Sequence, residues 1–577
     1  MALQETVLDI DSGTTAKFLK LGMITAVIIG MIMLYFMVQF RGLANESAMD
    51  QAQIARSLIS GEGFTTRYIR PLAIRVLSDL GKPTDKAHFP EFYNAPLMPL
   101  LDAAVLFPVK NHLQMLPTET ISMGDRALAI LGIILLFSGI FVWYRVAQLL
   151  FDKTLALIAA GLLLITDLMW QYALSGLPQL FLIILFGGVT YCAIQAKKSD
   201  DKEVEPGDRA VTTLLWLSGA AFGLGLMSLT HGVTVFLLPG YLVFVLLGFH
   251  TRITAFLLTL GIYLLTVAPW LIHNILVCHN PFGLTIYLAL AGAGISESEV
   301  MRGVNTGLAL GGGLATKFKS SFMEQGAHLW EYLGLNLAAI FFLPSIMHPF
   351  RSQAASLWRW IILIMWFGLT VGMTLFGVKG AISGNQLHIL FLPIFVIYGT
   401  AFLLVLWNRL NFTLAALRII FLAGIFLISG APMILTLLAG QQSRIQWPPY
   451  VPPFISVLSK WYEPNEILCS DMPWGVAWYA NRKCLLLPET IHAFDEVSDY
   501  GTLGSSIVGL YLTPISGQEE FLTLMKGHYK EWGPVIMRTV NLNNFALKSF
   551  TPLPIDGECI LYSDSNRWTR KSSQSDQ

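Results

Sequence analysis

Charge is what this chain has least of. Only 13% of its 577 residues are charged, well below the roughly 25% of soluble domains. Its 37 basic residues equal its 37 acidic ones, so no net field favours a nucleic-acid partner. Cysteine is scarce as well, with five residues, no CxxC pair and no HExxH, so a preformed zinc site has no support. Cys192 and Cys278 fall in or beside apolar runs and read as packing residues. Cys469, Cys484 and Cys559 lie near the C-terminus. A 469–484 bridge is open in an oxidising compartment, and three cysteines leave an odd one. The stretch LALGGGLA lacks the Lys-Ser/Thr that completes a phosphate loop. No internal repeat is visible.

What the chain has is apolar length. Hydrophobic residues make up 54% of it. A bilayer crossing needs about 20 apolar residues in helical form. Eleven windows qualify, near 18–39, 126–149, 154–171, 177–196, 211–229, 232–249, 253–277, 328–347, 357–378, 386–406 and 413–438. The first is preceded by Glu5, Asp9 and Asp11, unlike the basic start of a cleaved signal, and reads as a permanent span. Basic residues in short loops mark the cytoplasmic side. Arg145, Lys153, Lys197, Lys198, Lys202, Arg209, Arg252, Arg351, Arg359, Arg409 and Arg418 all fall on one side if the N-terminus is cytoplasmic. The segments 40–125, 278–327 and 379–385, and the tail from Gly440, then face outward. The expected architecture is an α-helical multi-pass membrane protein of about eleven spans in residues 1–439. A long first outer loop occupies 40–125, and an extracytoplasmic α/β domain occupies 440–577. The expected location is an inner or plasma membrane, with the tail on its extracytoplasmic (periplasmic) side.

Within the first outer loop, DQAQIARSLIS is amphipathic. Its Ala52, Ile54, Ala55, Leu58 and Ile59 are expected to face core or lipid, and Gln51, Gln53 and Arg56 to face water. RYIRPLAIRVLSDL spaces Arg67, Arg70 and Arg75 as in a helix lying near anionic headgroups, or as in a merely solvated one. The tail opens with the stiff connector WPPYVPPF. EILCSDM, KCLLLPE, SSIVGLYLT and ECILYSD then read as strands, and WGVAWYA and EEFLTLMKGHYKEW as helices.

Acidic residues where a span leaves the lipid are candidates for chemistry. Glu46 and Asp50 are four apart and share a helix face. Two carboxylates that close raise one pKa, which suits a general base, although both also fit a solvated loop. Lys379, in the outer turn VKGAISGNQ, is a cation that can meet a phosphate. His231, His388 and Arg302 are weaker candidates for that role, and His273 is a further histidine near a span end. Arg56, Arg67, Arg70 and Asn94 are candidates for holding the acceptor or the loop. No residue pattern calls for a metal or other cofactor.

Several segments together resemble one family. They are MDQAQIARSLISGEGFTT, NAPLMPLLDA, FDKTLALIAAGLLLITDLMWQYALSGLPQLFLIIL, APWLIHNILVCHNPFG, NQLHILFLPIF and DMPWGVAWYANRKCLLLP. In this order they are similar to the bacterial branch of GT-C membrane glycosyltransferases related to protein O-mannosyltransferases and aminoarabinose transferases. His273 and His388 stand where that group often has arginine, and Gln179 where an acid is common. The resemblance implies an inverting transferase acting at the outer face. The donor is a polyprenyl-phosphate-linked sugar, and the acceptor is a lipid, protein or glycan hydroxyl. Asp50 is then the base, with Glu46 in reserve. A membrane transporter is a rival reading, but it would place polar residues at span centres. A catalytically inactive scaffold of the same fold and an enzyme that moves whole glycans are two more.

Overall fold

The computed structural model describes the chain apart from residues 1–13, 83–87, 117, 202–205, 294, 304–312, 351, 411–414, 440–451, 500–505, 518–526, 528, 538, 540–544, 548, 553–559 and 569–577. Eight helices among the described residues are long and apolar enough to cross a membrane, and a ninth crossing is counted if a bent pair is one span. The protein is therefore a multi-pass integral membrane protein. The first span, α1, is Leu21–Gln39. The loop that follows, expected from the charge bias to be the first outer loop, carries α2 (Glu46–Ile59), the strand β1 (Tyr68–Ile69), α3 (Pro71–Asp79) and α4 (Leu97–Leu106). The next span, α5, is Met123–Leu150.

Three windows differ from the eleven expected. The window 154–171 is two helices, Lys153–Leu164 and Asp167–Ser175, bent by 59°. The window 232–249 is a shorter apolar helical stretch, Gly232–Gly248. The window 328–347 is no span at all. It breaks into the four-residue helices Leu329–Tyr332, Leu337–Ile340 and Phe342–Ser345. Gly334 (φ 68°) and Leu335 (φ 54°) turn left-handed there, which an α-helix cannot absorb. Asn336 caps the next turn and donates to Thr166 Oγ1 at 2.9 Å, so the broken segment packs against the bend. Gly399 lets Leu392–Arg409 lie on it, because a Cβ there would be 1.8 Å from the Ala338 carbonyl.

The tail contributes β2 (Ile467–Ser470), β3 (Lys483–Leu486), β4 (Ile507–Leu512), β5 (Ser549–Pro552) and β6 (Ile560–Ser563). The sheet runs β1-β3-β2-β4-β6-β5, parallel from β1 to β4, with β6 and β5 antiparallel. Its first strand thus comes from the outer loop, far ahead in the chain of the five that the tail supplies. WGVAWYA is helical as expected, in a turn of π-helix over Val476–Ala480 that ends on left-handed Asn481. Most of EEFLTLMKGHYKEW lies outside the described residues, as does Cys559. Cys469 and Cys484 are free thiols. Leu468 pairs with Cys484 and Cys469 with Leu485, so the two cysteines project from opposite faces of the sheet and cannot bridge.

The loop docks on the tail through buried polar groups. Arg56, expected to face water, is buried. It donates to the Trp478 carbonyl (2.7 Å) and the Leu113 carbonyl (2.6 Å), and its guanidinium lies 4.6 Å from the Trp478 ring centre. Burial pulls its pKa down to about 9. Asp125, at the start of α5, accepts from Trp478 Nε1 (2.7 Å) and the Tyr479 hydroxyl (3.0 Å). Gln51 and Gln53 are buried too, and Gln53 is held within the loop itself, donating to Asp50 Oδ1 (3.0 Å) and Thr66 Oγ1 (2.8 Å) and accepting from the Arg67 amide (2.8 Å).

Candidate active site

The site begins at α2. Asn45 caps this helix by accepting from the Ser47 amide at 3.0 Å, and Glu46 lies in the first turn, where the helix dipole favours an acid. Glu46, Asp50 and Gln53 follow one another along one face. Asp50 is buried with both oxygens engaged. Oδ1 accepts from Gln53 Nε2 (3.0 Å), and Oδ2 accepts from Arg70 Nη2 (2.5 Å) and Asn94 Nδ2 (2.7 Å). Of the loop residues expected at the site, Arg70 and Asn94 are therefore here.

Arg70 follows β1 directly and caps α3, with Pro71 at the first helical position. Its guanidinium is sandwiched between the rings of Tyr68 (4.0 Å) and Tyr93 (4.3 Å). Burial opposes its charge, but Asp50 and Glu91 outweigh that and hold it protonated. Each flanking phenol donates to a carboxylate, Tyr68 to Glu46 (3.3 Å) and Tyr93 to Glu297. Glu297 opens the short helix Glu297–Arg302 of the second outer loop.

Glu91, absent from the sequence-based candidates, completes the cluster. It is 1% exposed. Its Oε1 accepts from the amides of Tyr93 (2.7 Å) and Asn94 (2.8 Å). Its Oε2 is buried without a hydrogen-bond partner and lies 3.9 Å from Arg70 Nη1. Burial raises the Glu91 pKa to about 7, and burial with the neighbouring Glu297 does the same for Glu46. The residues FPEFYN carry no periodicity that marks Glu91. An acid beside the NAPL turn is the one signal available.

The other expected residues divide. Lys379 is exposed, lowers the Glu46 pKa by its charge, and has no ion pair with a described residue. It is a cation free to meet an anion here. Arg302 is buried against the tail, donating to the Leu487 carbonyl (2.7 Å) and the Pro488 carbonyl (3.3 Å), with the Tyr529 ring at 4.5 Å. His388 is buried, accepts from Trp366 Nε1 (3.0 Å), pairs with Gln325 Oε1 (3.1 Å) and stacks on Tyr332. Both ring nitrogens of His388 are thus engaged, and Arg302 is directed at the tail. His231 lies against Gly384 and Asn385 in the turn beyond Lys379. Arg67 holds Glu62 (2.5 Å) and the Asn481 carbonyl (2.9 Å), so Arg67 and Arg70 are not at a headgroup surface. Arg75 is the most exposed of the three and pairs with Asp79 at 2.9 Å. No group of three or more His, Cys, Asp or Glu among the described residues is arranged to hold a metal ion.

No protein-family profile and no curated protein sequence matches the chain. Solved structures do. ArnT from Cupriavidus metallidurans in the apo state superposes with a TM-score of 0.54 at 12% identity, over 95% of this chain and 98% of that one. The same protein bound to undecaprenyl phosphate gives 0.53 at 11% identity, over 94% and 98%. AglB, the archaeal oligosaccharyltransferase of Archaeoglobus fulgidus, in complex with an inhibitory peptide and a dolichol-phosphate, gives 0.53 at 11% identity, over 94% and 74%. By this likeness, which spans membrane module, outer loop and tail alike, the chain has the GT-C fold, in the form it takes in ArnT.

Proposed function

We propose that the protein is a membrane glycosyltransferase that moves a sugar from a polyprenyl-phosphate carrier to a hydroxyl acceptor at the outer face of a cytoplasmic membrane. The observation that carries this reading is the buried Asp50–Arg70–Glu91 cluster in a GT-C fold, with one carboxylate oxygen left without a hydrogen bond. The likeness to ArnT bound to undecaprenyl phosphate supports a lipid-phosphate donor.

In the reaction, the acceptor oxygen bonds to the anomeric carbon as the bond from that carbon to the phosphate oxygen breaks. The polyprenyl phosphate leaves with the electron pair, and the acceptor proton passes to a carboxylate. A base titrating near the working pH is the most effective. Glu91, raised to about 7 and with Oε2 free of hydrogen bonds, fits that role best. Asp50, the base expected from the sequence, has three donors on its oxygens and instead fixes Arg70 and Asn94. Glu46 remains the reserve carboxylate. Lys379 is placed to balance the charge of the departing phosphate. The acceptor is a lipid, protein or glycan hydroxyl.

The test is purification in detergent, incubation with radiolabelled undecaprenyl-phosphate sugars, and a search for labelled product. Wild type is expected to consume a donor, and Glu91→Gln and Asp50→Asn to lose at least about 100-fold in rate, the scale of general-base and positioning losses. Full activity in both variants overturns the reading.

A further inference from the structure

Glu91 is held from every side but one. Its N–H donates to the Phe64 carbonyl (3.3 Å), and its Oε1 accepts the two amides that follow. Its own carbonyl pairs with His273 Nε2 at 2.9 Å. A carbonyl only accepts, so that nitrogen carries the hydrogen. His273 belongs to a different element, the span Arg252–Cys278, little more than a turn from its end. The imidazole is itself held in place, stacked on Trp270 (5.3 Å between centres, 13°) and edge-on to Phe64 (6.0 Å). The loop after that span grips the next peptide as well. Leu284 N–H donates to the Phe92 carbonyl at 3.3 Å. Gly283, at φ 58°, lies where a Cβ would be 1.9 Å from that same oxygen.

We propose that His273 is a positioning residue for glycosyl transfer, fixing the Glu91 peptide from the span so that Oε2 stays aimed into the site beside Arg70. This rests on the reading of Glu91 as the proton acceptor. The geometry gives His273 no contact with the reacting atoms. It acts through one hydrogen bond to the main chain, and any side chain that reaches the same carbonyl with an N–H can replace it.

Three variants separate this role from simple packing. His273→Gln keeps a donor of similar reach. His273→Phe keeps an aromatic ring and loses the donor. His273→Asn is polar but too short to reach the carbonyl, and stands in for His273→Phe if that variant folds poorly. The first readout needs no substrate: an infrared difference titration of the full-length protein in detergent, with the Glu91 carboxyl band assigned by its loss in Glu91→Gln. Wild type and His273→Gln are expected to titrate near 7. His273→Phe and His273→Asn are expected to fall by about one unit or more, as a loosened carboxyl turns toward water. The second readout is transfer from an undecaprenyl-phosphate sugar. The donor-less variants are expected to lose about tenfold or more in kcat with the donor KM unchanged, and His273→Gln to restore it. A Glu91 midpoint that stays near 7 in folded His273→Phe and His273→Asn overturns the proposal, as does equal loss in all three variants. If Glu91→Gln instead transfers at the wild-type rate, the proton-acceptor reading fails while the titration still reports on the hydrogen bond.

Discussion

Arg70 donates to Asp50 at 2.5 Å while its guanidinium carbon lies 4.0 Å from the Tyr68 ring centre and 4.3 Å from that of Tyr93. The plane matters as much as the charge. Lysine carries the charge but neither stacks nor bridges two carboxylates in a fixed plane. Arg70→Lys is therefore expected to fold and to lose most transfer activity. Arg70→Met leaves Asp50 buried without its cation, which costs about 3–5 kcal/mol. Thermal unfolding in detergent checks the second, and labelled-product formation the first.

The pH dependence has a definite sign. Glu46 and Glu91 titrate near 4.5 when unfolded and about 7 in the native protein. The native state then binds more protons at these two groups than the unfolded state does between those values, so their contribution to stability is full below 4.5 and declines as pH rises toward 7. Glu91→Gln removes part of that slope. Its unfolding temperature is expected to exceed wild type's by more at about pH 8 than at about pH 5. Activity runs the other way, because the base must be deprotonated. The rate is expected to rise through about pH 7 in wild type.

Lys379 has a separable role. Lys379→Met is expected to weaken donor use by about tenfold, and more at low salt than at high, since an exposed charge is screened. The same change removes a cation that lowers the Glu46 pKa, so Glu46 is expected to titrate higher. An unchanged salt dependence of donor KM counts against a phosphate contact.

Arg56 tests the joint between loop and tail. Arg56→Met abandons two hydrogen bonds to buried carbonyls, each worth about 1.5–3 kcal/mol when the donor is charged. Limited proteolysis is expected to release the tail at lower protease concentration than in wild type. Arg75→Met, at a partly exposed ion pair, serves as the control, with an expected effect below about 1 kcal/mol.

How much of this can be read from residues alone depends on distance along the chain. Asp50 and Glu46 share a face by helical spacing, and the structure puts both on the site side of α2. Arg70 is visible through its spacing with Arg67 and Arg75 in RYIRPLAIRVLSDL, and Asn94 as the first residue of NAPLMPLLDA. Glu91 and Glu297 are not, since neither lies in a periodic segment and Glu297 arrives from the next outer loop, 204 residues after the Tyr93 it meets. Arg56 and Gln53 are expected in water because an amphipathic pattern shows which face is polar, not what covers it. The window 328–347 shows the converse failure. Averaged hydropathy registers its apolar content and is blind to two left-handed residues at 334 and 335.

The order of synthesis gives β1 a further meaning. Its partner strand β3 ends at Leu486, long after Ile69 in the chain, and Arg70 takes its place from β1. Until the ribosome has delivered Leu486, the loop that carries β1 has no sheet to join. A nascent chain thus has its spans made before Arg70 can be fixed beside Asp50, and assembly of the buried cluster waits for the last domain.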